Sequence, residues 1–570
     1  MRGNRKTTKQ RDHRFLFVLG LLLLLIVLTV IFWAIRYAPS SEKLDLSTFY
    51  KVKGNQAVLF VNDKLVEQNE IAPAMVKDGE YYIRVKNLKE RIDRGYVYDS
   101  TENVLRYTTE DSVVNVDLGD DSYTVGRNQE KMKHSILISD GDAVYVSLEF
   151  IKKFSDIQTS SAKKPYRLVV YKAGYKRSTA KLSKDTAIRR FGGPKSKVLK
   201  EGRKDEVVDV VESYGSWTKV LSKDGVIGCV KTSTLDNEKK IKVKALLPKR
   251  KYSHIKMKDK VNLLWQQVTN RVANAGVSNV LAKARGVNVI SPTWFALSDN
   301  RGGISDLASL DYVRTCHNEG VQVWGLVSNL THAEVDTATV LNVTSSRDNL
   351  VNNLIGKAIA YNLDGINVDL EAIPTKAEDG YIQFIRELSI KCENNDLVLS
   401  VDNYSPTASS AHYNRDIQAD YADYCIVMAY DEHYAGSQEA GSNASISFVT
   451  EAVDNTLKEV PANQVILGMP FYSRLWKTGT VGMKTETVPM VNNHKVLEDH
   501  KAEAKWDETV GQDYAEFTED DVLWQFWLED TKSLALKLGV MRDKNLAGGA
   551  FWKEGQETQS VWDVIETYMK

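Results

Sequence analysis

Cysteine is scarce in this chain: four in 570 residues, at Cys229, Cys316, Cys392 and Cys425. They are scattered, with no C-x-x-C pair and no histidine at ligand spacing, which argues against a disulfide framework or a zinc site. Small buried residues in an exported, cysteine-poor protein are the plainer reading, and no metal or cofactor is expected. Net charge is also missing. Lys+Arg and Asp+Glu both number 75, so nothing overall points to nucleic acid or another polyanion, and any basic activity must be local. Disorder is excluded by 43% hydrophobic and 26% charged residues, a balance typical of folded domains. At this length two to four domains are expected.

Long apolar runs are absent except for one. Arg2, Arg5, Lys6, Lys9, Arg11 and Arg14 precede Phe15 to Ile35, "FLFVLGLLLLLIVLTVIFWAI", which holds no charge. About 20 apolar residues span a hydrocarbon core of ~30 Å. The apolar core of a secretory signal is shorter, roughly 7–15 residues, and ends at a small-residue cleavage site. Trp33, Arg36 and Tyr37 instead resemble interfacial anchors. The expectation is a cytoplasmic basic tail (1–14), a single-pass membrane anchor (15–36) and an extracellular remainder.

Residues 41–172 alternate in short runs such as "AVLFVND", "EYYIRVKNL" and "RLVVYK", separated by turns such as "LGDDS" and "SDGD". This spacing predicts a β-rich stalk without a catalytic constellation. Residues 182–235 repeat the pattern around a "KDG" turn and end in "GCV". They resemble a bacterial SH3-like domain, although Cys229 stands where the usual ending has tryptophan. That resemblance implies contact with cell-wall peptide, an inert spacer being the equal alternative. A basic linker follows over 236–257.

From 258 to 570 the pattern changes. The runs "VNLLWQ", "VNVISPTWF", "VQVWGLVSN", "GINVDLE", "LVLSVDNY", "YCIVMAYDEH", "QVILGMPFY" and "LAGGAFWKEG" alternate with segments of helical period. Eight strand–helix units predict a parallel (β/α)8 TIM barrel. The long interval between strands seven and eight predicts a small α+β insertion at about 477–520. In "LDGINVDLE", Asn367, Asp369 and Glu371 share one face while Ile366, Val368 and Leu370 take the other. Glu371, coming last, lies at the barrel mouth, where active sites of this fold sit. Unpaired buried carboxylates are costly, so the polar column must be mutually hydrogen-bonded and needed.

That stretch resembles the fourth-strand signature of glycoside hydrolase family 18, the chitinase-like enzymes, D-G-x-D-x-D-x-E. Asp364, Gly365, Asp369 and Glu371 match it, and Asn367 replaces a carboxylate. "MAYDEH", "GMPFYSRLW" and "AGGAFWKEG" resemble the family's sixth, seventh and eighth strands. "SPTWF", "LVSN" and "MAYDEHY" are similar to its branch of cortex-lytic and cell-wall N-acetylglucosaminidases. The resemblance implies Glu371 as general acid, with Asp369 raising its pKa. It implies a substrate-assisted reaction in which the acetamide oxygen is the nucleophile, held by Asp369 at its N–H and Tyr430 at its carbonyl. Asp431 is expected to bind acetamide or sugar hydroxyls, and Trp552 to floor the cleft. Met428 belongs to the same set. Asn367 is expected to orient Asp369 without accepting its proton. Trp294, Trp324, Tyr472 and Arg474 are assigned either to the cleft or to core and rim. The expected substrate is a polysaccharide containing N-acetylglucosamine, namely peptidoglycan. Chitin, or glycan binding by a wall-tethering protein of weak activity, are the alternatives.

Overall fold

The computed structural model describes residues 7–480 and 482–570, so Arg2, Arg5 and Lys6 of the basic tail lie outside the described residues. The chain divides into two units: residues 1–96, 116–123 and 129–249, and residues 97–115, 124–128 and 250–570.

The first unit begins with an α-helix, Thr7–Tyr37, whose stretch Arg14–Tyr37 is fully exposed and long and apolar enough to cross a membrane. A mixed sheet follows, in which Gln56–Val61 runs parallel to Tyr166–Lys172. A second, seven-stranded sheet spans Lys176 to Lys242, and its pairings are antiparallel. Residues 182–235 fall inside this sheet.

The second unit is the barrel expected from the sequence. Its strands are β1 (Val261–Gln266), β2 (Val289–Pro292), β3 (Gln322–Ser328), β4 (Gly365–Asp369), β5 (Val398–Tyr404), β6 (Tyr424–Met428), β7 (Val465–Pro470) and β8 (Gly548–Trp552). All neighbours run parallel, and pairing of β2 with β3 and of β1 with β8 closes the ring. The alternation separates two apolar layers. Ile366 and Val368 pack outward with the helices, whereas Leu263, Trp265, Trp324, Leu326 and Ile426 fill the barrel interior.

Two motif residues serve the strand itself. A Cβ on Gly365 would come 2.7 Å from the carbonyl oxygen of Val398, so only glycine lets β4 and β5 approach. Asp364 accepts from the Val323 amide at 2.7 Å and from His317 Nε2 at 2.8 Å, tying the start of β4 to β3.

Between β7 and β8 lies a five-stranded antiparallel sheet running from Tyr472 to Leu528, with the helix Asn493–Asp499. It has its own core of Leu475, Val488, Ala515, Phe526 and Leu528. Tyr472 and Arg474 therefore stand on the first strand of the insertion, beyond the end of β7.

Residues 97–108, far upstream in sequence, pack on two barrel helices, Thr344–Tyr361 and Glu378–Glu393. Helix Thr344–Tyr361 has no side-chain cap of its own, since Val343 occupies the N-cap. Asp99 supplies one from outside, accepting from the Thr344 amide at 2.7 Å, and Glu102 accepts from the Ser345 amide at 2.9 Å. Arg106 grips both Asp348 oxygens at 2.7 Å and Glu387 at 2.9 Å. Glu387 is buried and also takes Arg347 Nε at 2.8 Å, so the charge there is compensated.

Candidate active site

The polar faces of β4 and β5 meet as a ladder. The register pairs Asn367 with Ser400 and Val368 with Val401. Carried upward, it sets Asp369 beside Asp402 and Glu371 beside Tyr404, on strands about 4.8 Å apart.

The lowest rung is closed. Asn367 is fully buried; its Oδ1 accepts from Trp265 Nε1 at 2.9 Å and Ser291 Oγ at 3.0 Å. Its Nδ2 donates to Ser400 Oγ at 3.0 Å and Asp402 Oδ1 at 2.8 Å. Two donors and two acceptor sites are all an amide has. Asn367 therefore has no bond left for Asp369, contrary to the expected orienting role, and it does not line the cleft.

On the middle rung Asp369 and Asp402 are both buried. Burial, then the Glu371 charge, pushes Asp369 from its ordinary value up to about 8. Burial raises Asp402 well above the carboxylate range, and the Asp369 and Glu371 charges add to it, while the Asn367 amide opposes it. Oδ1 of Asp369 has no hydrogen-bond partner among the described residues, a costly state for a buried carboxyl.

The top rung opens to the cleft. Tyr404 donates its hydroxyl to Glu371 Oε2 at 2.6 Å. Asn329, just past the end of β3, clamps the Glu371 backbone, donating Nδ2 to its carbonyl and accepting from its amide, both at 2.9 Å. The chain then turns sharply: Ala372 has φ 49°, in the left-handed region that non-glycine residues avoid. Asp431, after β6, has φ 57°. Its Oδ1 accepts from the Tyr472 hydroxyl at 2.8 Å and Arg474 Nη2 at 2.5 Å.

One pocket gathers Trp265, Asp369, Glu371, Asp402, Tyr404, Met428, Tyr430, Asp431, Tyr472 and Trp552. Of the residues expected from sequence, Glu371, Asp369, Tyr430, Asp431, Met428, Tyr472 and Trp552 come together here. Arg474 acts on the pocket through Asp431. Trp294 does not join them: its ring is buried against Tyr312 at 5.0 Å, and its Nε1 is spent on Asn274 Oδ1 at 2.9 Å. Trp324 is likewise buried, near the start of β3 and away from the mouth, stacked on Tyr424. Asp402 and Tyr404 were not singled out from sequence, although "LVLSVDNY" carries Ser400, Asp402 and Tyr404 at a period of two on a buried strand.

Comparison with known proteins adds three findings. Residues 281–557 match the family model Glycosyl hydrolases family 18, and residues 60–166 match Copper amine oxidase N-terminal domain. Among curated proteins the chain is 25% identical to the uncharacterized glycosylase YvbX of Bacillus subtilis (strain 168), over 49% of this chain and 84% of that protein. It is 24% identical to the cortical fragment-lytic enzyme of the same organism, over 39% of this chain and 54% of that enzyme. The solved spore cortex-lytic enzyme SleL of Bacillus cereus shares the fold, with a TM-score of 0.50, 15% identity, and coverage of 58% of this chain and 77% of that one. Asp369, Glu371, Tyr430 and Trp552 all lie within the matched segment. Residues 281–557 thus form a glycosyl hydrolase family 18 domain, the domain of a glycosidase.

Proposed function

We propose that this chain is a membrane-anchored glycosidase that cleaves β-1,4 bonds after N-acetylglucosamine in cell-wall glycan. The substrate's acetamide oxygen serves as nucleophile, and the anomeric configuration is retained. The observation that carries this reading is the division of labour between Glu371 and Asp369. Glu371 stands at the cleft with a hydroxyl donor on one oxygen, placed to protonate a leaving oxygen. Asp369 lies deeper and keeps an unpartnered acceptor, matching an amide N–H rather than an anomeric carbon. Tyr430 lines the same pocket and would hold the acetamide carbonyl. In the first step the Glu371 proton passes to the glycosidic oxygen, the bond to the leaving sugar breaks, and the acetamide oxygen closes on the anomeric carbon. Water then opens the oxazolinium ring and returns a proton to Glu371. Holding the internal nucleophile in place is proximity catalysis.

The cell-wall substrate is supported by likeness to the cortical fragment-lytic enzyme. Chitin is the second reading, supported by 24% identity to a probable endochitinase of Caenorhabditis elegans over 37% of this chain and 39% of that protein. The helix Arg14–Tyr37 would be the anchor, with the barrel outside. Residues 182–235 are proposed as an SH3-like contact for wall peptide.

The test is to incubate the detergent-solubilised chain with peptidoglycan, with de-N-acetylated peptidoglycan and with chitin oligosaccharides. New reducing ends and the anomer first formed are then read. Release from acetylated peptidoglycan, with retention and without turnover of the deacetylated polymer, is expected. Equal turnover of the two polymers, or an inverted product, would overturn the mechanism; activity on chitin alone would overturn the substrate.

A further inference from the structure

We propose that Asp402 shares one proton with Asp369 and is the group that takes it up when Asp369 ionises. It supplies from β5 the proton acceptor that Asn367 on β4 is not. This rests on the glycosidase reading above and adds to it a positioning residue.

Four observations lead here. Asn367 is locked by four hydrogen bonds and offers Asp369 none. Asp402 is the next inward residue of the neighbouring strand, on the same rung as Asp369 by the register of β4 and β5. Both carboxyls are buried, where two adjacent negative charges are strongly disfavoured. The Asn367 amide, finally, donates to Asp402 Oδ1 at 2.8 Å, which steadies that carboxyl without neutralising it. Burial raises both groups, and the Asp369 charge adds to the rise on Asp402, as expected of neighbouring carboxyls.

The consequence is chemical. The pair carries one proton and one negative charge. When the acetamide N–H presents itself to Asp369, the O–H bond on Asp369 breaks and one forms on Asp402, leaving the pair's net charge unchanged. The anion then sits on Asp369, next to the cationic ring as it develops, and Asp402 is neutral. Without Asp402, the carboxyl left beside Asp369 is Glu371, whose proton goes to the glycosidic oxygen.

Two measurements on the full chain in detergent test this. The first is kcat against pH on acetylated peptidoglycan for the parent, Asp402→Asn, and the double variant Asn367→Asp/Asp402→Asn. Asp402→Asn is expected to lose about 10²-fold in kcat, with KM little changed and the pH profile displaced. The double variant, which returns a carboxyl to β4, is expected to regain at least about tenfold over Asp402→Asn. Parent-like kcat and pH profile in Asp402→Asn, or no gain in the double variant, would overturn the proposal.

The second measurement needs no turnover. The infrared band of buried protonated carboxyls is followed against pH in the parent, Asp402→Asn and Asp369→Asn, with thermal melts to establish that each is folded. Sharing predicts that the band disappears at lower pH in both single variants, by about one unit or more, because the like charge has gone. Titration at the parent's pH in Asp402→Asn would overturn the proposal whatever the activity. A parent inactive on every glycan, with the infrared shift present, would instead sink the function proposed above and leave the shared proton standing.

Discussion

Asp369 ends β4 and Glu371 stands two residues beyond it, and the fold gives them different surroundings. The difference can be measured. Glu371→Gln keeps the shape and the acceptor for Tyr404 but removes the acid proton; glycan cleavage is expected to fall by about 10²–10⁴-fold, with sugar binding retained in a calorimetric titration. A parent rate in the purified variant would refute the assignment. Asp369 makes its own prediction through stability. Its value in the fold is pushed up to about 8, by burial first and then by Glu371, whereas in the unfolded chain it ionises near 4. A raised carboxyl favours the fold fully below the unfolded value, and that advantage is lost as pH rises through the folded one. With Asp402 removed from both chains, the urea midpoint of Asp369→Asn/Asp402→Asn relative to Asp402→Asn should therefore climb from about pH 4 until Asp369 ionises in the fold and level off above that. A constant difference across that window would show that Asp369 is not held protonated. The sequence disclosed these two carboxyls because their alternation on an apolar strand had no structural excuse. It disclosed Asp402 poorly, since one acid in "LVLSVDNY" looks like a strand end until the register sets it against β4. Trp294 misled because a tryptophan after a barrel strand reads equally as a sugar platform or as core, and only the Asn274 partner separates the two.

At the scale of elements, the helix Thr344–Tyr361 is the instructive case. Its own residues give it no side-chain cap, and the missing acceptors arrive from Asp99 and Glu102. Asp99→Ala is expected to cost about 0.5–2 kcal/mol, the usual worth of an N-cap, read as a lower denaturation midpoint of the barrel with its pocket chemistry intact. A variant as stable as the parent would mean the cap carries nothing. Burial raises the pKa of Asp99, but hydrogen bonds from Thr344, Thr101 and Glu102 outweigh it and hold the carboxyl below its ordinary value. This contribution is therefore present above the unfolded value and is lost as pH falls through the folded one. The Asp99→Ala deficit should accordingly shrink in acid. None of this was legible beforehand. Strand and helix periods are local signals, and a cap delivered from another part of the chain leaves no trace near the helix it serves. The barrel strands, by contrast, were readable because each buries both faces and appears as an apolar run between helical segments.

For the whole molecule, the apolar helix Arg14–Tyr37 leads to a topological prediction. Protease added to intact cells should release a fragment containing the barrel; full protection, or recovery of the barrel as soluble cytosolic protein, would refute this topology. The capping contact also has a consequence in time. Asp99 and Thr344 are 245 residues apart, and chains are made from the N-terminus at about 5–20 residues per second. The capping carboxylate therefore exists for roughly 12–50 s before the helix it serves has been synthesised. During that interval Asp99, Glu102 and Arg106 have none of their barrel partners. A nascent chain halted before residue 344 is expected to be cut readily within residues 97–108, at sites the finished protein protects; equal protection of the halted and finished chains would show that this segment is ordered without the barrel.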